Sequence, residues 1–131
     1  MLECAIIGDS IAVGVSLKDK TCYREAVGGI SSKKFAEMYV KEITANQVLI
    51  SIGSNDSANM NTYDNMKKIR SRVHASKKVV WLLSYNNQAA KEAAVRVAKE
   101  NGDAVLEIKD VKDKVHPTNA EYIRLGKTWR S

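Results

Sequence analysis

The chain is poor in chemistry-bearing residue types: two cysteines, two histidines and one proline among 131 residues. No apolar run approaches the ~20 residues of a membrane span, so no transmembrane segment is expected. No Cys/His cluster has metal-ligand spacing, which excludes a structural zinc and leaves no metal or cofactor expected. Cys4 and Cys22 fall in the first two expected strands. They read as buried thiols of a reducing compartment, with a disulfide between neighbouring strands as the alternative. Met1-Leu2-Glu3 lacks the basic flank and long apolar stretch of a secretory signal. A cytoplasmic protein is expected, reaching any outside substrate by lysis or by carriage in another assembly. Walker-type and dinucleotide-type glycine patterns are missing, which counts against a nucleotide or flavin carrier. Repeats, linkers and low-complexity segments are missing too, so residues 1–131 read as one domain. Nothing in the sequence speaks to oligomeric state.

Positive charge is plentiful but unfocused. The net charge is +6 and the pI about 9.3. The lysines are scattered, with pairs only at Lys33-Lys34, Lys67-Lys68 and Lys77-Lys78. With no basic arm and no aromatic-interleaved basic stripe, a specific nucleic-acid partner is not expected. The balance is compatible with an anionic polymer.

Apolar runs and helical patterns alternate along the chain. Strands are expected at 3–7, 21–27, 47–52, 78–84 and 104–108. The unbroken run Val79-Val80-Trp81-Leu82-Leu83 suits a strand buried on both faces of a parallel sheet. Between the strands, Phe35, Met38, Tyr39 and Ile43 form one helical stripe; Met66, Ile69 and Val73 form another. Ala90, Ala93, Ala94 and Val97 form a third, stopped by Asn101-Gly102. The last helix carries Tyr122, Leu125 and Trp129, after Pro117 and a Thr118/Glu121 capping-box spacing. This alternation predicts an α/β fold, a three-layer α/β/α sandwich.

Four short blocks follow strands one, two, three and five, at the carboxyl ends where such sheets bind ligands. They are Gly8-Asp9-Ser10-Ile11-Ala12-Val13-Gly14, Gly28-Gly29-Ile30-Ser31, Gly53-Ser54-Asn55-Asp56 and Asp113-Lys114-Val115-His116-Pro117. Ser10, on a strand-to-helix turn, is a candidate nucleophile near a helix N-terminus. His116 is its candidate base. Asp113, three residues earlier on the same loop, can orient one imidazole nitrogen and leave the other for Ser10. Asp110 is the weaker candidate for that carboxylate. The backbone N–H of Ser10, that of Gly29 and the Asn55 side chain are candidate oxyanion donors, with Gly28 as the alternative glycine. Asp56 reads as a brace for the Asn55 loop. His74, expected at the end of a charged helix, reads as surface.

The order Ser10, Gly29, Asn55, Asp113, His116 resembles the SGNH hydrolases, also called GDSL-type esterases, named for serine, glycine, asparagine and histidine in separate blocks. The resemblance runs over nearly the whole chain. It implies a flavodoxin-like five-stranded parallel sheet of order 2-1-3-4-5. It also implies a metal-independent serine esterase working through a Ser-His-Asp triad and an acyl-enzyme. The loops over the site are short, so small acyl groups are expected, acetyl above all, on a small molecule or on a carbohydrate or cell-envelope glycan. The alternative is a glycan- or partner-binding module that keeps the fold without turnover.

Overall fold

The computed structural model describes residues 1–131. Five strands alternate with five helices: β1 (Leu2–Gly8), α1 (Ser10–Lys18), β2 (Tyr23–Ala26), α2 (Ser32–Met38), β3 (Ile43–Ser51), α3 (Thr62–Ser71), β4 (Val73–Leu83), α4 (Gln88–Asn101), β5 (Ala104–Glu107) and α5 (Asn119–Thr128). Every neighbouring pair is parallel and the order is β2-β1-β3-β4-β5. This is the flavodoxin-like α/β sandwich expected.

Strand side chains alternate between two cores, as the period of two requires. Ala5, Ile7, Val48, Ile50, Val79, Trp81 and Leu83 face the layer of α2, α3 and α4. Cys4, Ile6, Leu49, Val80 and Leu82 face the layer of α1 and α5. Apolar residues on both faces explain why β1, β3 and β4 read as unbroken runs. Gly14 lets the Tyr122 ring lie directly on α1, since a Cβ there would fall 2.3 Å from that ring. No helix is long and apolar enough to cross a membrane.

Several local expectations shift. Ile43 heads β3 and Val73 heads β4; the two are register partners across the sheet. Strand pairing takes both residues from the helical stripes they were expected to complete. The α2 stripe reduces to buried Phe35 stacked on Tyr39, with ring centroids 4.7 Å apart, while Met38 is exposed. His74 therefore lies in β4 rather than at a helix end, exposed and 3.1 Å from Glu42. Gly102 ends α4 in the left-handed conformation, as expected. Thr118 caps α5, but Glu121 does not complete the box. Its carboxylate accepts instead from the Lys109 N–H and pairs with Arg124.

The cysteines are a correction. Cys4 and Cys22 form a disulfide, with Cα atoms 4.8 Å apart. The β1–β2 register pairs Ala5 with Tyr23, which sets the two preceding residues side by side. A disulfide belongs to oxidising compartments in most proteins, so these residues no longer support a reducing one. The bond closes a loop of sequence separation 18. Its reduction is expected to lower the unfolding free energy by about 3 kcal/mol. Urea denaturation with and without dithiothreitol measures this; coincident curves would show that the bond contributes nothing.

Candidate active site

Ser10 opens α1 immediately beyond β1, and Asp9 builds the turn between them. Asp9 is fully buried. Its carboxylate accepts from the Ile11 N–H at 3.0 Å as the helix N-cap, from the Ser54 hydroxyl at 2.6 Å and from the Ser51 hydroxyl at 3.4 Å. Burial pushes this carboxyl above the ordinary aspartate range, while the bonds from Ser54 and from the N–H groups of Ile11 and Ala12 oppose the shift. One buried side chain thus ties the Ser10 turn to the loop after β3. Asp9 is not among the site residues the sequence predicts, although an aspartate just before a helix is a preferred N-cap.

The loop after β5 brings His116 over Ser10. Ser10 Oγ lies 2.9 Å from His116 Nε2, and His116 Nδ1 lies 2.9 Å from Asp113 Oδ2. Asp113 Oδ1 also accepts from the backbone N–H of Val115 at 3.1 Å and of His116 at 2.7 Å. This turn passes through Lys114 at φ 74°, the one non-glycine residue in the left-handed region. Such a conformation costs roughly 1–2 kcal/mol. It is held by the Asp113 bonds, by the Lys112 N–H on the His116 carbonyl at 2.9 Å, and by a Val111–Pro117 bridge. The bonds from the His116 backbone and ring hold the Asp113 carboxyl down to about 2. An ionised Asp113 keeps the proton on Nδ1 and turns the Nε2 lone pair towards Ser10. Asp110, the alternative carboxylate, makes no hydrogen bond to His116; it accepts from the Thr118 hydroxyl at 2.9 Å and pins the loop.

Gly28 and Gly29 follow β2 and run beside Ser10. A Cβ on Gly28 would lie 3.9 Å from Ser10 Cβ, and Gly29 takes φ 77°, where a side chain is strained. The N–H groups of Ser10, Gly28 and Gly29 donate to no protein acceptor. Asn55 donates one amide hydrogen to the Ile30 carbonyl at 3.1 Å, which orients the amide and leaves its second hydrogen unused. Asp56 braces this loop. It accepts from the Ser32 N–H at 2.8 Å, the Thr62 hydroxyl at 2.7 Å and the Ser32 hydroxyl. Asn87 clamps the loop from the other side. Its amide donates to the carbonyls of Gly53 and Asp56, both at 3.1 Å, while its Oδ1 accepts the Ala90 N–H at the start of α4. Asn87 is not among the site residues the sequence predicts, since its only local signal is that of a helix cap. Gly28, Gly29, Asn55 and Asp113 are all exposed, so the arrangement is an open shelf.

No protein-family model and no curated protein matches the chain. Solved structures do share its fold, among them these two. One is the C-terminal catalytic domain of the peptidoglycan O-acetyltransferase A (OatA) of Streptococcus pneumoniae, solved with a methylsulfonyl adduct. It is 14% identical with a TM-score of 0.60, over 96% of this chain and 89% of that one. The other is a protein of the G-D-S-L family from Desulfitobacterium hafniense DCB-2. It is 12% identical with a TM-score of 0.60, over 97% of both chains. The chain therefore has the SGNH-hydrolase fold across nearly its whole length.

Proposed function

We propose that the protein is a serine esterase that cleaves a small acyl ester, acetyl above all, through an acyl-enzyme on Ser10. The observation that carries this reading is the continuous chain Ser10 Oγ–His116 Nε2 and His116 Nδ1–Asp113 Oδ2, each link 2.9 Å. His116 takes the Ser10 proton as Oγ attacks the ester carbonyl, and returns it to the leaving alcohol. Asp113 stabilises the imidazolium between those steps. Water then attacks the acyl-enzyme with His116 again as base, releasing the acid and restoring Ser10. Negative charge on the carbonyl oxygen is met by the N–H of Ser10, that of Gly29 and the unused amide hydrogen of Asn55. Both fold relatives are compatible with acyl chemistry, one by its acetyltransferase name and the other by its G-D-S-L family name.

Asn55→Ala is expected to lower kcat for p-nitrophenyl acetate by about 10²–10³-fold with little change in KM, the signature of a donor used mainly in the transition state. A variant with unaltered kcat would remove Asn55 from the oxyanion site. The open shelf offers no deep apolar wall for a long acyl chain, so kcat/KM is expected to fall from p-nitrophenyl acetate to the octanoate. The reverse order would contradict the small-acyl assignment.

A further inference from the structure

A groove of about 800 Å³ runs between α2 and α3, with its rim beginning at Ser57, two residues beyond Asn55. Its upper wall is the loop of Ser57, Asn59 and Met60, which continues from Asn55. Its α2 wall runs from Lys33 to Glu37, about 6 Å at the rise of a helix, and continues past the helix end to Val40. That length suits a segment of polymer better than a single small group. The groove is preformed, because Asp56 locks its upper loop onto both Ser32 and Thr62.

The lining charge is predominantly positive. Lys33, Lys68 and Arg72 face one acid, Glu37. Neither Lys33 nor Lys68 takes part in an ion pair. Arg72 donates to the carbonyls of Ala36 and Tyr39, at 2.6 and 2.8 Å, at the end of α2. This fixes its side chain without neutralising it. Asn59, Asn61 and Ser57 add amides and a hydroxyl, the groups that hydrogen-bond sugar hydroxyls. No aromatic ring lines the groove, so it lacks the stacking platform by which proteins hold single-stranded nucleic acid.

We infer that the α2–α3 groove binds an anionic glycan, whose carboxylates sit on Lys33 and Lys68 while its ester group reaches Ser10. The ester half of this inference rests on the proposed function; the binding half does not. The test is therefore a binding measurement, made on both the wild type and Ser10→Ala, with polygalacturonate as the anionic probe and dextran as the neutral one. Polygalacturonate is expected to bind both proteins alike, more weakly as salt rises, and dextran to bind far more weakly. Lys33→Glu/Lys68→Glu is expected to lose at least about tenfold in affinity. Lys20→Glu/Lys127→Glu, which alters net charge equally but away from the groove, is expected to keep it. Equal losses in the two double variants, or no loss in either, would overturn the groove assignment. So would binding of a poly(dT) oligonucleotide as tight as that of polygalacturonate. Hydrolysis of p-nitrophenyl acetate by the wild type reports separately on the esterase reading, so failure of one does not imitate failure of the other.

Discussion

Ser10→Ala is expected to reduce p-nitrophenyl acetate hydrolysis by about 10⁴-fold or more while leaving the protein folded. The hydroxyl is half-buried and bonds only His116, so its loss removes the proposed nucleophile and little else. His116→Ala should cause a loss of similar size. The double variant should be scarcely worse than either single one, because nucleophile and base act as a unit. The wild-type rate should rise with pH as the general base is freed of its proton. Asp113 does not supply that limb. Its carboxyl is held at about 2, so its favourable contribution is complete above the unfolded value of ~3.9 and is lost only as pH falls towards 2. A single acid limb near pH 2 would place the base on a carboxylate. Ser10→Ala retaining most of the activity would end the nucleophile assignment.

Asp9→Ala is expected to lower stability by about 2–4 kcal/mol. It removes a helix N-cap, about 1 kcal/mol. It also strands the Ile11 N–H and the Ser54 and Ser51 hydroxyls in or near the core, roughly 1–3 kcal/mol more. Activity should fall as well, since the same carboxylate links the Ser10 turn to the Asn55 loop. Asp9→Asn should cost less, because its amide oxygen can still cap Ile11. The sign of its pH dependence follows from burial. Asp9 titrates above the unfolded value, so its stabilising contribution is full below pH ~3.9 and fades as pH rises through the folded value. Asp9→Asn lacks that titration and should gain on the wild type over the same window. Urea denaturation at several pH values measures both effects. A stability difference that is flat with pH, or an Asp9→Ala cost under about 1 kcal/mol, would show that the carboxylate is not the tie described.

Much of the sheet can be read from the sequence because burial on both faces leaves unbroken apolar runs, as in Val79–Leu83. The four polar blocks are legible for a related reason. Each interrupts the apolar pattern at a strand end, where a parallel sheet exposes its carboxyl edge. Element boundaries are less legible. Ile43 and Val73 fit a helical stripe and a strand equally well, and only their pairing across the sheet decides. The disulfide depends on the β1–β2 register, which no local pattern encodes. Asp9 and Asn87 look like ordinary helix caps until the fold brings Ser54 and the Gly53–Asp56 carbonyls to them. The side chains that hold the Asn55 loop in place are thus recognisable only from contacts between distant elements.

In the proposed mechanism His116 activates Ser10 to form a covalent intermediate. Labelling with methanesulfonyl fluoride, read by intact-mass and peptide mass spectrometry, tests it most directly. The expected result is one sulfonyl group per chain, mapped to Ser10, fast in the wild type, slowed severely in His116→Ala and absent in Ser10→Ala. Labelling at another residue, or at Ser10 equally fast without His116, would contradict it.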